Sequence, residues 1–162
     1  ATPKNNTLER FGEKQADGTL KGWQEFPAEE WTQRSLFAVK QDVRLLNASV
    51  IEATFGKPLR KAMQQYALRP EMIDYLLPHM SSEYFHQPIA ECLAASGFAI
   101  PDEKWFTNLH TRGNTGSASI YIMVDELLNS GRLKEGDRLL CMVPESGRFT
   151  GGLIHLTAVS HA

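Results

Sequence analysis

Hydrophobic positions along this chain follow two rhythms. From residue 28 onward they recur at three- to five-residue steps, at Leu36, Val39, Val43, Leu46, Val50 and Phe55. That spacing predicts an amphipathic helix over 28–55, with Glu29 and Glu30 in its first turn and Gly56 ending it. Lys57-Pro58 opens a second, short helix through Tyr66, with Leu59, Met63 and Tyr66 on one face. The rhythm then changes. Residues 72–77 are almost continuously apolar and stop at Pro78-His79, the pattern of a buried strand. A helix over 82–96 follows, with Ser81 or Ser82 as N-cap and Gly97 as terminator. Pro101-Asp102-Glu103 turns the chain into a short strand over 105–110. The clearest helix is 114–130, with Ile120, Val124, Leu127 and Leu128 inward and Gly131 at its end. After a turn at Leu133-Lys134-Glu135-Gly136-Asp137, strands are expected at 138–143 and 152–159, joined by a loop over 145–151. Residues 1–27 are polar and glycine-bearing, and Ala16-Asp17-Gly18-Thr19 is a turn signal, so they read as a loop or loose hairpin. The order α-α-β-α-β-α-β-β predicts a layered α/β domain whose mixed sheet is covered by helices.

Composition narrows the function classes without choosing one. A chain of 162 residues makes one domain, long enough to bury about two-thirds of its unfolded surface. Apolar residues at 42% and charged residues at 22% are ordinary globular usage, and a formal charge of −2 argues against nucleic-acid or membrane-surface binding through bulk charge. Apolar runs such as 139–143 are far too short to span a bilayer, and the polar start has no apolar signal-peptide core. Cys92 and Cys141 lack metal-ligand spacing, which argues for free thiols in a reducing, cytoplasmic setting. A first residue of Ala rather than Met is consistent with a processed chain or one cut from something longer.

Candidate chemistry concentrates at two residues. His79 ends the apolar run Leu76-Leu77-Pro78-His79, and Asn114 sits in Arg112-Gly113-Asn114-Thr115-Gly116-Ser117-Ala118-Ser119, a small-residue turn opening into an apolar helix. A histidine and an asparagine at the ends of successive strands can aim two N–H donors at one oxygen, as a site for a thioester enolate or oxyanion requires. No candidate nucleophile stands beside them. Each has a plainer reading: His79 as a strand-end residue capping the next helix, Asn114 as the N-cap of its own. For Asn114 the two roles are compatible, because a cap uses the side-chain oxygen and leaves the amide N–H groups to donate. Cys92 falls within a helix and Cys141 mid-strand, positions of small buried hydrophobes rather than nucleophiles. His79 and His86 lack a third ligand, so no metal is expected. His110 reads as a strand position, and His155 and His161 carry no assignment. Lys40, Arg44, Lys57, Arg60 and Lys61 form a basic run that reads as a solvated face.

From about residue 36 to 157 the chain resembles the C-terminal half of a 3-oxoacyl-[acyl-carrier-protein] synthase III, in the thiolase superfamily. Four motifs carry the resemblance in order: Pro78-His79, the turn at Gly113-Asn114-Thr115, Gly131-Arg132-Leu133-Lys134-Glu135-Gly136, and the closing hairpin Phe149-Thr150-Gly151-Gly152. The resemblance implies a thiolase-like fold, with residues 1–27 the tail of a missing N-terminal half and 28–162 the C-terminal domain. It implies that a cysteine in that absent half accepts an acyl group, while His79 and Asn114 are catalytic and bind the oxygen of a malonyl thioester during decarboxylative Claisen condensation. Substrate contacts are expected from Met80, Ser82, Ser146, Gly147, Arg148 and Phe149. No cofactor is implied. The expected partners are an acyl carrier protein or acyl-CoA thioester, the missing half, and a second copy in a homodimer, with the basic run as a carrier docking face. The isolated piece is expected to be inactive.

The chain departs from the family pattern in specific places. Met80-Ser81-Ser82 stands where Gln-Ala-Asn is usual, the interval from His79 to Asn114 is a few residues longer, Ser146 and Arg148 replace glycines, and Gly151 replaces a common aromatic. These changes fall in loops that line the substrate in relatives. They keep two other readings open: a non-catalytic partner subunit, and a thiolase-fold enzyme forming a different carbon–carbon bond.

Overall fold

The computed structural model describes residues 12–37 and 43–160. Strands β1 (Gly12–Lys14) and β2 (Leu20–Gly22) pair antiparallel around the Asp17-Gly18 turn. Asp17 accepts the Thr19 N–H at 2.9 Å while Gly18 adopts φ +87°, a conformation open to glycine. Helix α1 (Val43–Ile51) runs into a π-helical turn (Glu52–Gly56) and directly on into α2 (Lys57–Tyr66). Then come β3 (Tyr75–Pro78), α3 (His86–Ala95), the single-turn α4 (Leu109–Arg112), α5 (Ser119–Asn129), β4 (Arg138–Glu145) and β5 (Thr150–Thr157).

The sheet order is β3-β4-β5, with β3 parallel to β4 and β5 antiparallel to it. Its central strands are apolar on consecutive residues because both faces are covered. Leu76, Leu140 and Met142 face a core completed by Phe55, Leu59, Ile89 and Leu93 from the helices α1 to α3. Leu77, Leu139 and Cys141 face the other way, against Ile120, Met123 and Leu127 of α5. The layered α/β architecture with a mixed sheet is therefore what the sequence pattern predicts, and the short glycine-bearing loop does join an antiparallel pair.

Four boundaries differ from expectation, each for a local reason. Residues 28–37 are not one helix: a 3-10 turn at Ala28–Glu30 gives way to turns, and Ser35 at φ +51° ends the helical path. Val39, on which that prediction leaned, lies outside the described residues, as does Lys40. Gly56 does not stop a helix; at φ −61° and ψ −55° it continues one. Its role is close packing, since a Cβ there would stand 3.0 Å from the Cys92 Sγ of α3. The expected strand over 105–110 shrinks to one bridge, Trp105 with Leu76, after which the polar stretch Thr107-Asn108-Leu109-His110 turns into α4. The helix expected from 114 begins at Ser119, behind a 3-10 turn at Gly116–Ala118. Smaller differences follow from exposure: Tyr66 and Leu128 point outward rather than into the core.

Candidate active site

The end of β3 delivers the histidine. Pairing with β4 continues one residue past the strand, where the His79 N–H donates to the Met142 carbonyl at 2.9 Å, so the backbone of His79 is as fixed as the sheet itself. Its side chain is half-buried, and loss of solvent lowers its pKa from the ordinary 6.5. At neutral pH the ring is therefore uncharged and offers one N–H, as a donor to a developing oxyanion must.

Asn114 arrives by a different route. Gly113, at φ +69°, releases the chain from α4, and Asn114 occupies the bend before the 3-10 turn. Its Oδ1 accepts the Gly116 N–H at 3.0 Å. The oxygen thus closes an Asx-turn ahead of the 3-10 turn, whose N-cap is Thr115 rather than the Asn114 the sequence suggested, and Nδ2 is the group left to donate. The following residue is held too, with the Thr115 N–H donating to the buried Ser119 Oγ at 3.1 Å.

His79 and Asn114 line one cavity of about 510 Å³. Its apolar lining comes from Leu46, Val50, Ile51 and Phe55 on α1 and the π-helical turn, and from Phe85 and Ile89 at the start of α3. Ser81, Ser117, Glu145 and Ser146 add polar groups to the two donors. Such a space suits a molecule with an apolar limb and a polar reacting end.

The remaining expected contacts divide. Met80 and Ser146 line the cavity, although Met80 is only 5% exposed and belongs to the core as much as to the site. Ser82, Gly147, Arg148 and Phe149 are not among its lining residues. Ser82 instead caps the turn Glu83–Phe85 by accepting the Tyr84 N–H at 3.2 Å. Gly147 and Arg148 serve the hairpin: their N–H groups donate to the two oxygens of the Glu145 carboxylate at 2.7 and 2.8 Å. Phe149 turns the chain at φ +53°. His110 lies on α4 rather than a strand, exposed, with Nε2 3.3 Å from Glu83. Cys141 is fully buried and its thiol is pushed up to about 11 by loss of solvent. Cys92 is likewise shifted up by burial, so loss of solvent disfavours the thiolate of both. Glu145, Ser81 and Ser117 were missed in the sequence. For Ser81 and Ser117 the available signal was their nearness to His79 and Asn114 in the recognised motifs; Glu145 had no such signal.

The family described as 3-oxoacyl-[acyl-carrier-protein (ACP)] synthase III, C terminal, matches residues 63–155, more than half the chain. The chain belongs to this family. The beta-ketoacyl-[acyl-carrier-protein] synthase III of Aquifex aeolicus is 33% identical over 97 residues, which are 60% of this chain and 29% of that protein. Among solved structures, the 3-oxoacyl-(acyl carrier protein) synthase III, FabH, of Xanthomonas oryzae pv. oryzae superposes with a TM-score of 0.65 at 26% identity, covering 82% of this chain and 38% of that one. A variant of Xanthomonas campestris OleA, solved with lauric acid and lauroyl-CoA bound, gives 0.60 at 26% identity, over 76% of this chain and 34% of that one. The fold is thus thiolase-like, and the chain spans about a third of the length of the relatives it matches.

Proposed function

We propose that this chain is the C-terminal part of a ketoacyl synthase III-like acyltransferase and that His79 and Asn114 are its enolate-binding pair. The observation that carries the reading is their convergence on one cavity, one donor fixed by the sheet and the other by its own turn. A cysteine supplied by sequence outside this chain takes an acyl group from a carrier-protein or coenzyme A thioester. A malonyl thioester then binds with its carbonyl oxygen between the His79 ring N–H and the Asn114 amide. Carbon dioxide leaves, and the electrons of the broken carbon–carbon bond pass into an enolate whose oxygen charge the two donors stabilise. The enolate carbon attacks the acyl carbonyl; a carbon–carbon bond forms, the bond to the cysteine sulfur breaks, and the thiolate is released. The apolar wall from Leu46 to Phe55 suits the alkyl part of a substrate, and Met80 and Ser146 are the expected contacts that line the cavity. Homodimerisation and carrier docking on the basic run that includes Arg44 and Lys61 belong to the same proposal.

His79→Ala in the full-length protein tests it. Removing one donor should slow malonyl-thioester decarboxylation by about 10²- to 10³-fold while acyl loading proceeds at the parent rate. Unchanged decarboxylation in His79→Ala would overturn the enolate-binding role, and a full-length parent that performs neither step would instead identify a non-catalytic binding subunit.

A further inference from the structure

We propose that Glu126 is the positioning residue for Asn114. The inference rests on the enolate-binding reading of Asn114 and adds the group that holds it in place. Asn114 lies in a stretch with little secondary structure of its own, since α4 is a single turn and Gly113 leaves it in a left-handed conformation. A sheet cannot fix this donor as it fixes His79. Glu126 replaces that support from α5.

One carboxylate oxygen of Glu126 accepts the Asn108 Nδ2 at 2.6 Å, and the other accepts the Arg112 guanidinium Nε. Both partners lie on the arm that leads into Asn114, six and two residues before it. Glu126 is also the less exposed member of its ion pair, at 24% against 56% for Arg112. Ser119, seven residues earlier and so on the same face of α5, takes the Thr115 N–H just after Asn114. Two side chains two turns apart on one helix therefore grip the arm on either side of the asparagine. The amide of Asn108 and the charge of Arg112 hold the Glu126 carboxyl below its ordinary pKa, so the grip persists across the neutral range. The same arm reaches the other donor as well: Asn108, Gly113 and Ser119 border a small niche beside His79. Among the described residues no strand lies between His79 and Asn114, so the arm draws its anchor from α5.

Two variants of the full-length protein test this, Glu126→Gln, which keeps shape and removes charge, and Glu126→Ala. The readouts are acyl loading of the cysteine, decarboxylation kcat and KM, and hydrogen exchange over residues 108–118. The expected result is a loss of roughly tenfold to a hundredfold in decarboxylation kcat, since a misplaced group costs about that much. Acyl loading should stay at the parent rate, KM should change little, and exchange should rise only in the arm. Decarboxylation within about twofold of the parent, or an equal fall in loading and decarboxylation, would overturn the assignment. Asn114→Ala separates the clamp from the donor pair. If it abolishes decarboxylation while the Glu126 variants match the parent, only the clamp is wrong; if it leaves decarboxylation intact, the donor-pair reading itself fails.

Discussion

At the scale of single residues, the protonation state of His79 decides whether the pair can work. Burial lowers its pKa below 6.5, so the neutral, donating ring survives into mildly acidic solution. The acid limb of decarboxylation against pH should therefore lie below 6.5, and the limb should disappear in His79→Gln, whose amide donates without titrating. The stability consequence has the same sign. As pH falls through 6.5 the unfolded chain takes up a proton that folded His79 resists, so stability declines there and is fully present above it. The roles of His79 and Asn114 were proposed from the sequence because each sits inside a local motif whose chemistry is carried by residue type. Glu145 and Glu126 were not legible, because what they do depends on partners brought close by a turn and by a helix face, neither of which residue spacing specifies.

The elements show where periodicity informs and where it misleads. Strands β3 and β4 were legible because burial on both faces leaves an apolar run with few polar interruptions. The helix-breaking reading of Gly56 failed because a glycine can serve contact rather than conformation, and sequence does not distinguish the two. Gly151 makes the same point. A Cβ there would lie 2.2 Å from the Thr54 carbonyl, a backbone atom of the π-helical turn that cannot move aside alone. The hairpin and the cavity wall at Phe55 thus approach each other only because position 151 has no side chain. Gly151→Ala should destabilise the full-length protein by about 1–3 kcal/mol, read as a lower denaturation midpoint at unchanged slope. An unchanged midpoint would show that the turn relaxes at no cost. Since the turn forms part of the apolar wall, this close approach also gives Gly151, in place of an aromatic, a direct effect on the shape of the site.

For the molecule as a whole, the sheet is unevenly covered. Tyr121 and Leu128 of α5 are 73% and 62% exposed. Ile154 and Leu156 stand opposite Cys141 and Leu139 across the β4–β5 ladder, on the α5 side, and are exposed as well. An apolar surface of this kind is what a partner element covers, and the proposed remainder of the synthase is the natural occupant. The 162-residue chain expressed alone should then self-associate in sedimentation, and Tyr121→Ser with Leu128→Ser should reduce that association. A chain that stays monomeric without those changes would argue that the face is tolerated by itself. Fold class was readable at this scale from the order of elements, whereas the uncovered face follows from which residues neighbouring elements reach.

A decisive experiment follows the two half-reactions together in the full-length protein and its Asn114→Ala variant. An acyl thioester is added first and a malonyl thioester second, with intact mass reporting the acyl-enzyme and released carbon dioxide reporting decarboxylation. If His79 and Asn114 bind the enolate, the parent gains and then loses one acyl group as carbon dioxide appears, while Asn114→Ala accumulates the acyl-enzyme and releases almost none. Parent-like turnover by Asn114→Ala, or a parent protein that never acylates, would refute the enolate-binding role.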